Sequence, residues 1–239
     1  MGAKIINFYE LILAQFMHDE HHVHEWSPVF GALFTFVVIV LIGLKFRSAV
    51  EKAGDDVVPT GRVDVVSVIE MIMEFVTNLA RDVIGDEKGP SFYGLLCGLF
   101  MFIFVSNLSG LVPGFQPATE SLNTNLAMSL TVFLTYNFAG VKEHGVHYIN
   151  QFLGPVLFLM PLMFLIELVA HLARPVSLSL RLYGNIFGDH LVLSVFTGLV
   201  PLLLPSALLF FGLLVASLQS FVFTLLSSIY ISMALSHDH

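Results

Sequence analysis

Arg181 lies deep inside an apolar segment running from Pro155 to Val200, and the residues around it carry what chemistry this chain can do. After Glu143 the sequence holds two basic residues, Arg174 and Arg181, and three acidic ones, Glu167, Asp189 and Asp238; all but Asp238 fall within that segment. A charge at bilayer depth costs roughly 2.5 to 3.5 kcal/mol on insertion scales, so such residues mark ion pathways by default. At about 100° per residue, Glu167, His171, Arg174, Arg181, Asn185 and Asp189 share a narrow arc of one helix face, with His190 to its side. Carboxylates and imidazoles exchange protons near ambient pH once burial and neighbours adjust their affinities. A guanidinium stays protonated, so Arg181 can favour an anion or bar a proton but cannot relay one. The bland alternative is helix glue, with Glu167 paired to His171 or Arg174, and Arg181 paired to Asp189.

The elements that hold this stripe follow from composition. Hydrophobic residues are 56% of the 239 positions and charged residues 12%, too little polar surface for a soluble globule, so the bilayer is the expected solvent. The fold class is an all-α integral membrane protein. The net charge of −8 sits largely in tails and loops, and without a basic stripe there is no case for nucleic acid. Cys97 is the only cysteine, which excludes an internal disulfide and a cysteine-based metal site. No phosphate-binding loop occurs, and Gly85 to Ser91 does not supply one, so no catalytic site for ATP and no cofactor are expected in this chain.

Five crossings and one surface helix are expected. Residues 1–27 form an outer tail, in which Ile5, Phe8, Tyr9, Ile12 and Phe16 recur at the spacing of a short interfacial helix, and no signal peptide is expected. Helix 1 covers 28–44, and Lys45, Arg47, Lys52 and Arg62 place the following loop in the cytoplasm. Over 62–84, Glu70, Glu74, Asn78 and Arg81 share one face and Ile69, Met73, Val76 and Val83 another, the pattern of an amphipathic helix on the cytoplasmic surface. Residues 91–112 and 122–141 form a hairpin whose turn, free of Lys and Arg, faces outside. The segment 152–200 is too long to stand upright: Pro155 to Val200 as helix would extend about 69 Å against a hydrocarbon core of roughly 30 Å. A tilted helix bent near Pro161, Pro175, Gly184 or Gly188 is expected, with two helices broken at Pro175 as the alternative. The last crossing, 205–235, is also long; five crossings put the N-terminus outside and the C-terminus inside. Along it Ser217, Ser220, Thr224 and Ser227 follow helical spacing beside Gln219, either as packing glue or as part of a pathway.

The run Arg174-Pro-Val-Ser-Leu-Ser-Leu-Arg181-Leu-Tyr-Gly-Asn185, with Gln219-Ser-Phe-Val-Phe in the final helix, resembles the a subunit of bacterial rotary ATP synthase. The resemblance extends over nearly the whole chain. It implies a stator in the cell inner membrane whose last two helices lie tilted against a ring of c subunits, with b-type peripheral stalk subunits as further partners. By position Arg181 is similar to the family's essential arginine, Asn185 to its polar neighbour and Gln219 to the glutamine of the facing helix. Glu167 and Ser177 match residues of the cytoplasmic half-channel. His190, preceded by Asp189, stands where the family carries an acidic residue or histidine. Gly212 departs from the pattern, because many members carry a second ionisable group there.

The expected function is therefore proton translocation coupled to rotation and ATP synthesis. Protons would enter past Asp189 and His190, neutralise a ring carboxylate, and leave towards Glu167 and Ser177 after Arg181 favours the ionised carboxylate, with His171 a further titrating group among the proton-translocation residues. Rival readings are a self-contained channel or transporter, a structural anchor, and a haem-binding electron-transfer subunit using His171 and His190. The cluster His18, Asp19, Glu20, His21, His22 and His24 has metal-ligand chemistry, but as a solvated tail it is not expected to close a metal site.

Overall fold

The computed structural model describes residues 8–9, 20–53, 65–112, 114–145, 160–199 and 203–236, and every regular element among them is helical. We number the α-helices α1 (Glu20–Ala53), α2 (Val65–Ile84), α3 (Tyr93–Gly110), α4 (Leu122–His144), α5 (Met160–Leu199) and α6 (Leu203–Leu235). Short 3₁₀ turns at Gly89–Phe92 and Ala118–Glu120 lead into α3 and α4. Four stretches are long and apolar enough to cross a membrane: Trp26–Glu51, Gly89–Gly110, Pro161–Phe196 and Ser206–Leu235. Helix α4 is not among them, because Asn123, Thr124, Asn125, Ser129, Thr131, Thr135 and Asn137 dilute its hydropathy.

Helix α1 begins at Glu20 and ends at Ala53, beyond both ends of the expected 28–44 span, and Pro28 lies inside it. Apolar composition marks the part in lipid, whereas helical hydrogen bonding continues into the polar flanks. Phe8 and Tyr9 are helical, and Tyr9 packs edge-on against Phe115; the remainder of the expected interfacial helix lies outside the described residues. Helix α5 is unbroken through Pro175, so the alternative of two helices is not adopted. Its 40 residues extend about 60 Å.

Helix α6 is the centre of the bundle and packs on α2, α3, α4 and α5. Its hydroxyl face explains how. Ser220, Thr224, Ser227 and Ser228 are buried, and each returns its hydrogen bond to a carbonyl one turn back in the same helix. Small, self-satisfied side chains let neighbouring helices approach closely, so this stripe is packing material and not a wet path. Helix α2 presents Val76 and Ala80 to the core while Glu70, Glu74, Asn78 and Arg81 stay exposed, as its spacing predicts.

One end of the bundle is clamped by Lys88, whose Nζ lies 2.8 Å from Glu143 Oε1 at the end of α4 and 3.4 Å from the Leu235 carbonyl at the end of α6. The opposite end is built around the turn between α3 and α4. A Cβ at Gly110 would lie 2.8 Å from Pro117 Cγ, and one at Gly31 would lie 3.0 Å from the Gln116 carbonyl, so both helices need glycine where the turn lies on them. Ser27 Oγ donates to Gln116 Oε1 at 2.9 Å. Thr119 Oγ1 donates to Asn107 Oδ1 at 2.6 Å, and Asn125 Nδ2 donates to the Thr119 carbonyl at 2.7 Å, all three residues being buried. Thr119→Val keeps the shape but removes the donor; the buried Asn107 acceptor loses its partner, and we expect a loss of about 1–3 kcal/mol. Thermal unfolding of the detergent-solubilised chain checks this, and an unchanged midpoint would contradict it.

Candidate functional site

Helices α5 and α6 run antiparallel: Asn185 faces Gln219, and the same number of residues along each helix brings Arg174 to Tyr230. Between them opens a groove of about 690 Å³, lined on α5 by Arg181, Gly184, Asn185, Gly188 and Asp189, and on α6 by Val215, Leu218, Gln219 and Val222. The helical stripe therefore becomes one wall of a groove. Asn185 Nδ2 donates to Gln219 Oε1 at 2.6 Å, fixing the two helices to each other at the level of the groove. Gln219 is 4% exposed, and its Nε2 has no protein partner.

Arg181 is exposed and makes no ion pair or hydrogen bond among the described residues; the pairing with Asp189 that helix glue would require is not formed. Gly184 and Gly188 sharpen the point. A Cβ at either position would meet nothing within 4 Å, so packing inside this chain does not call for glycine there. Small residues on an open membrane-helix face suit close approach by another helix.

The other residues singled out by sequence divide between the two ends of the bundle. Glu167 lies 3.7 Å from Arg174, whose guanidinium also stands over the Tyr230 ring at 5.7 Å. Of the two glue pairings envisaged for Glu167, the one with Arg174 forms. Ser177 is exposed on α5 between this pair and Arg181. His171 turns inward: it is 6% exposed, its Nε2 lies 2.8 Å from Asn137 Oδ1, and Phe133 and Tyr136 flank its ring. It thereby ties α5 to α4 and does not line the groove. At the other end Asp189 lines the groove, whereas His190 Nδ1 lies 3.5 Å from Glu120 Oε2 in the α3–α4 turn. Gly212 leaves space that the Leu111 side chain occupies, a Cβ there falling 2.8 Å from Leu111 Cδ2.

Sequence reasoning missed Glu120 and Asn137. Glu120 is the one ionisable residue between Leu111 and Ser121, a signal that was present. Asn137 is one of several amides on α4, and nothing in its spacing distinguishes it. His171 and His190 face different elements, which removes the geometry that shared haem ligation would need. The cluster His18 to His24 falls on residues whose side chains lie outside the description, as do His237 and His239.

Long apolar helices, with a cation left unpaired among the described residues in a lateral groove, define an all-α, multi-pass membrane protein. The family described as ATP synthase A chain matches residues 29–232. The chain is 44% identical to ATP synthase subunit a of Bdellovibrio bacteriovorus, over 90% of this chain and 94% of that protein. It is 44% identical to ATP synthase subunit a 2 of Syntrophotalea carbinolica, over 95% of this chain and 91% of the relative. ATP synthase subunit a of Geobacter sulfurreducens is 42% identical, with 96% and 98% covered. The chain belongs to the ATP synthase A chain family, and is thus a non-catalytic membrane subunit of that synthase.

Proposed function

We propose that this chain is the stationary half of a proton-driven rotary motor, in which Arg181 separates two half-channels that open onto a ring of c subunits. The observation that carries the reading is the exposed, unpaired guanidinium of Arg181 in the α5–α6 groove. Desolvating a cation without a partner is costly, so a site that leaves one open is suited to an anion brought from outside the chain. A ring carboxylate fills that role. Near Arg181 its ionised form is favoured, and the proton leaves.

Asp189 and His190 form the outer half-channel and Glu167 with Ser177 the inner one, while Asn185 and Gln219 hold the groove at the level of the arginine. His171 serves the inner side by holding α5 against Asn137. Five helices cross the bacterial inner membrane: α1, α3, α4, α5 and α6. Helix α2 lies on the cytoplasmic surface, the N-terminus is outside and the C-terminus inside, and b-type stalk subunits hold the chain still. Helix α4, though polar, has 23 residues and so about 34 Å of length, enough to cross. Each charge crossing 100 mV releases roughly 2.3 kcal/mol, so several transfers drive one ATP.

Sided thiol labelling tests the arrangement. With Cys97 replaced by Ala, Asp189→Cys should react with an impermeant reagent from the outer side, and Glu167→Cys from the cytoplasmic side. Labelling of both from a common side would sink the two-half-channel reading.

A further inference from the structure

His190 does not reach its position alone: its Nδ1 lies 3.5 Å from Oε2 of Glu120, a residue of the turn between α3 and α4 and of neither groove helix. We infer that Glu120 is a proton-carrying residue of the outer half-channel, receiving protons from water and passing them to His190. The inference rests on the reading of His190 as an outer-channel residue.

The turn is built to hold Glu120 in place. Thr119, immediately before it, is fully buried; its hydroxyl is bonded to Asn107 of α3 and its carbonyl to Asn125 of α4. Its backbone N–H lies 3.3 Å from Ser106 Oγ. Pro117 is seated against Gly110, and the Glu120 N–H closes onto the Pro117 carbonyl at 3.0 Å. Four buried polar residues at the end of a membrane bundle are expensive to desolvate, and here they fix the backbone that presents one carboxylate. Asn107 Nδ2 and Asn125 Oδ1 are buried without protein partners beside it, polar atoms suited to bound water.

Exposure fits the same role. The Glu120 side chain is 23% exposed and that of His190 31%, so both remain within reach of water while neither is fully solvated. Proton transfer then balances simply. The Glu120 carboxylate takes a proton from a hydronium ion on the outer side, leaving water; its O–H bond breaks as Nδ1 of His190, carrying its single hydrogen on Nε2, accepts the proton. The Nε2 proton then passes towards the ionised ring carboxylate at the groove, and reorientation of the neutral ring restores the Nε2–H form facing the groove. At 3.5 Å the glutamate and histidine lie just outside direct hydrogen-bond distance, and transfer takes place when the contact tightens or through one bridging water.

The test uses the assembled synthase in membrane vesicles, with ATP-driven proton pumping read at matched amounts of ring-bound complex. Glu120→Gln keeps the shape but removes the proton site, and should slow pumping about tenfold or more. Glu120→Asp should retain most of it. The exchange variant, Glu120→His with His190→Glu, restores an acid–imidazole pair and should pump faster than Glu120→Gln. Pumping by Glu120→Gln at the wild-type rate, or equal failure of Gln and Asp, overturns the inference. If Glu120→Gln does not assemble, the exchange variant decides: pumping supports the inference, whereas an assembled but inactive complex, or no assembly, makes the pair merely structural. His190→Ala separates the two levels. If it is inactive while Glu120→Gln pumps normally, only the role of Glu120 falls; if both pump normally, the outer-channel reading of His190 falls with it.

Discussion

Arg181→Ala should reduce both ATP synthesis and ATP-driven pumping to background while the synthase still assembles. Its guanidinium has no partner among the described residues, so no internal ion pair is broken and the fold of α5 should be untouched. What is lost is the fixed charge that favours an ionised ring carboxylate and bars direct proton passage. Passive proton conductance should therefore stay level or rise. Arg181→Lys should also fail largely, because a compact ammonium can lose its proton when desolvated and cannot span two acceptors as a planar fork does. Arg174→Lys is the control. Its charge lies 3.7 Å from Glu167 and stands over Tyr230, contacts that a lysine can keep in part, so substantial pumping should remain. Inverted vesicles at matched assembly levels measure all three, and normal pumping by Arg181→Ala would rule out the mechanism.

Gly188→Leu should abolish coupling for a different reason. The position lines the groove beside Asp189, and an added Cβ there meets nothing within 4 Å of this chain. Leucine is also a better helix former than glycine, which costs about 0.8–1.0 kcal/mol relative to alanine on intrinsic scales, so the isolated chain should be no less thermally stable. The bulk would instead fill space that a ring helix must sweep. We expect pumping to fall by more than about tenfold, with Gly188→Ala between leucine and wild type. Pumping unaffected by Gly188→Leu would mean that no partner helix approaches this wall of the groove.

Much of this protein was legible along the chain. The aligned charges of the 152–200 segment were conspicuous because each is costly in lipid, and a cost that large leaves a mark in composition. The amphipathic period of α2 was readable because a helix with one wet face and one packed face must alternate at its own pitch. Helix α4 shows where such reading weakens. Its pattern predicts the returning arm of a hairpin, yet its amides and hydroxyls lower its hydropathy. Ser129, Thr131 and Thr135 close onto carbonyls of their own helix, Asn125 bonds the Thr119 carbonyl of the preceding turn, and of these amides and hydroxyls only Asn137 meets another helix, at His171.

The residue types and their order determined that this chain is a helical membrane protein with a cationic centre flanked by proton-exchanging groups, since burial energies and helical periodicity act on neighbours along the chain. Only the tertiary structure decided which of those groups share a space. Asp189 and His190 are adjacent in sequence but turn to different surroundings, one to the groove and one to Glu120. Glu167 chose Arg174, and His171 withdrew towards Asn137. The hydroxyls of α6 closed onto their own helix. Helical spacing fixes a side chain's direction about its own axis; what it meets depends on contacts between segments far apart in sequence, and local periodicity holds no record of those distances.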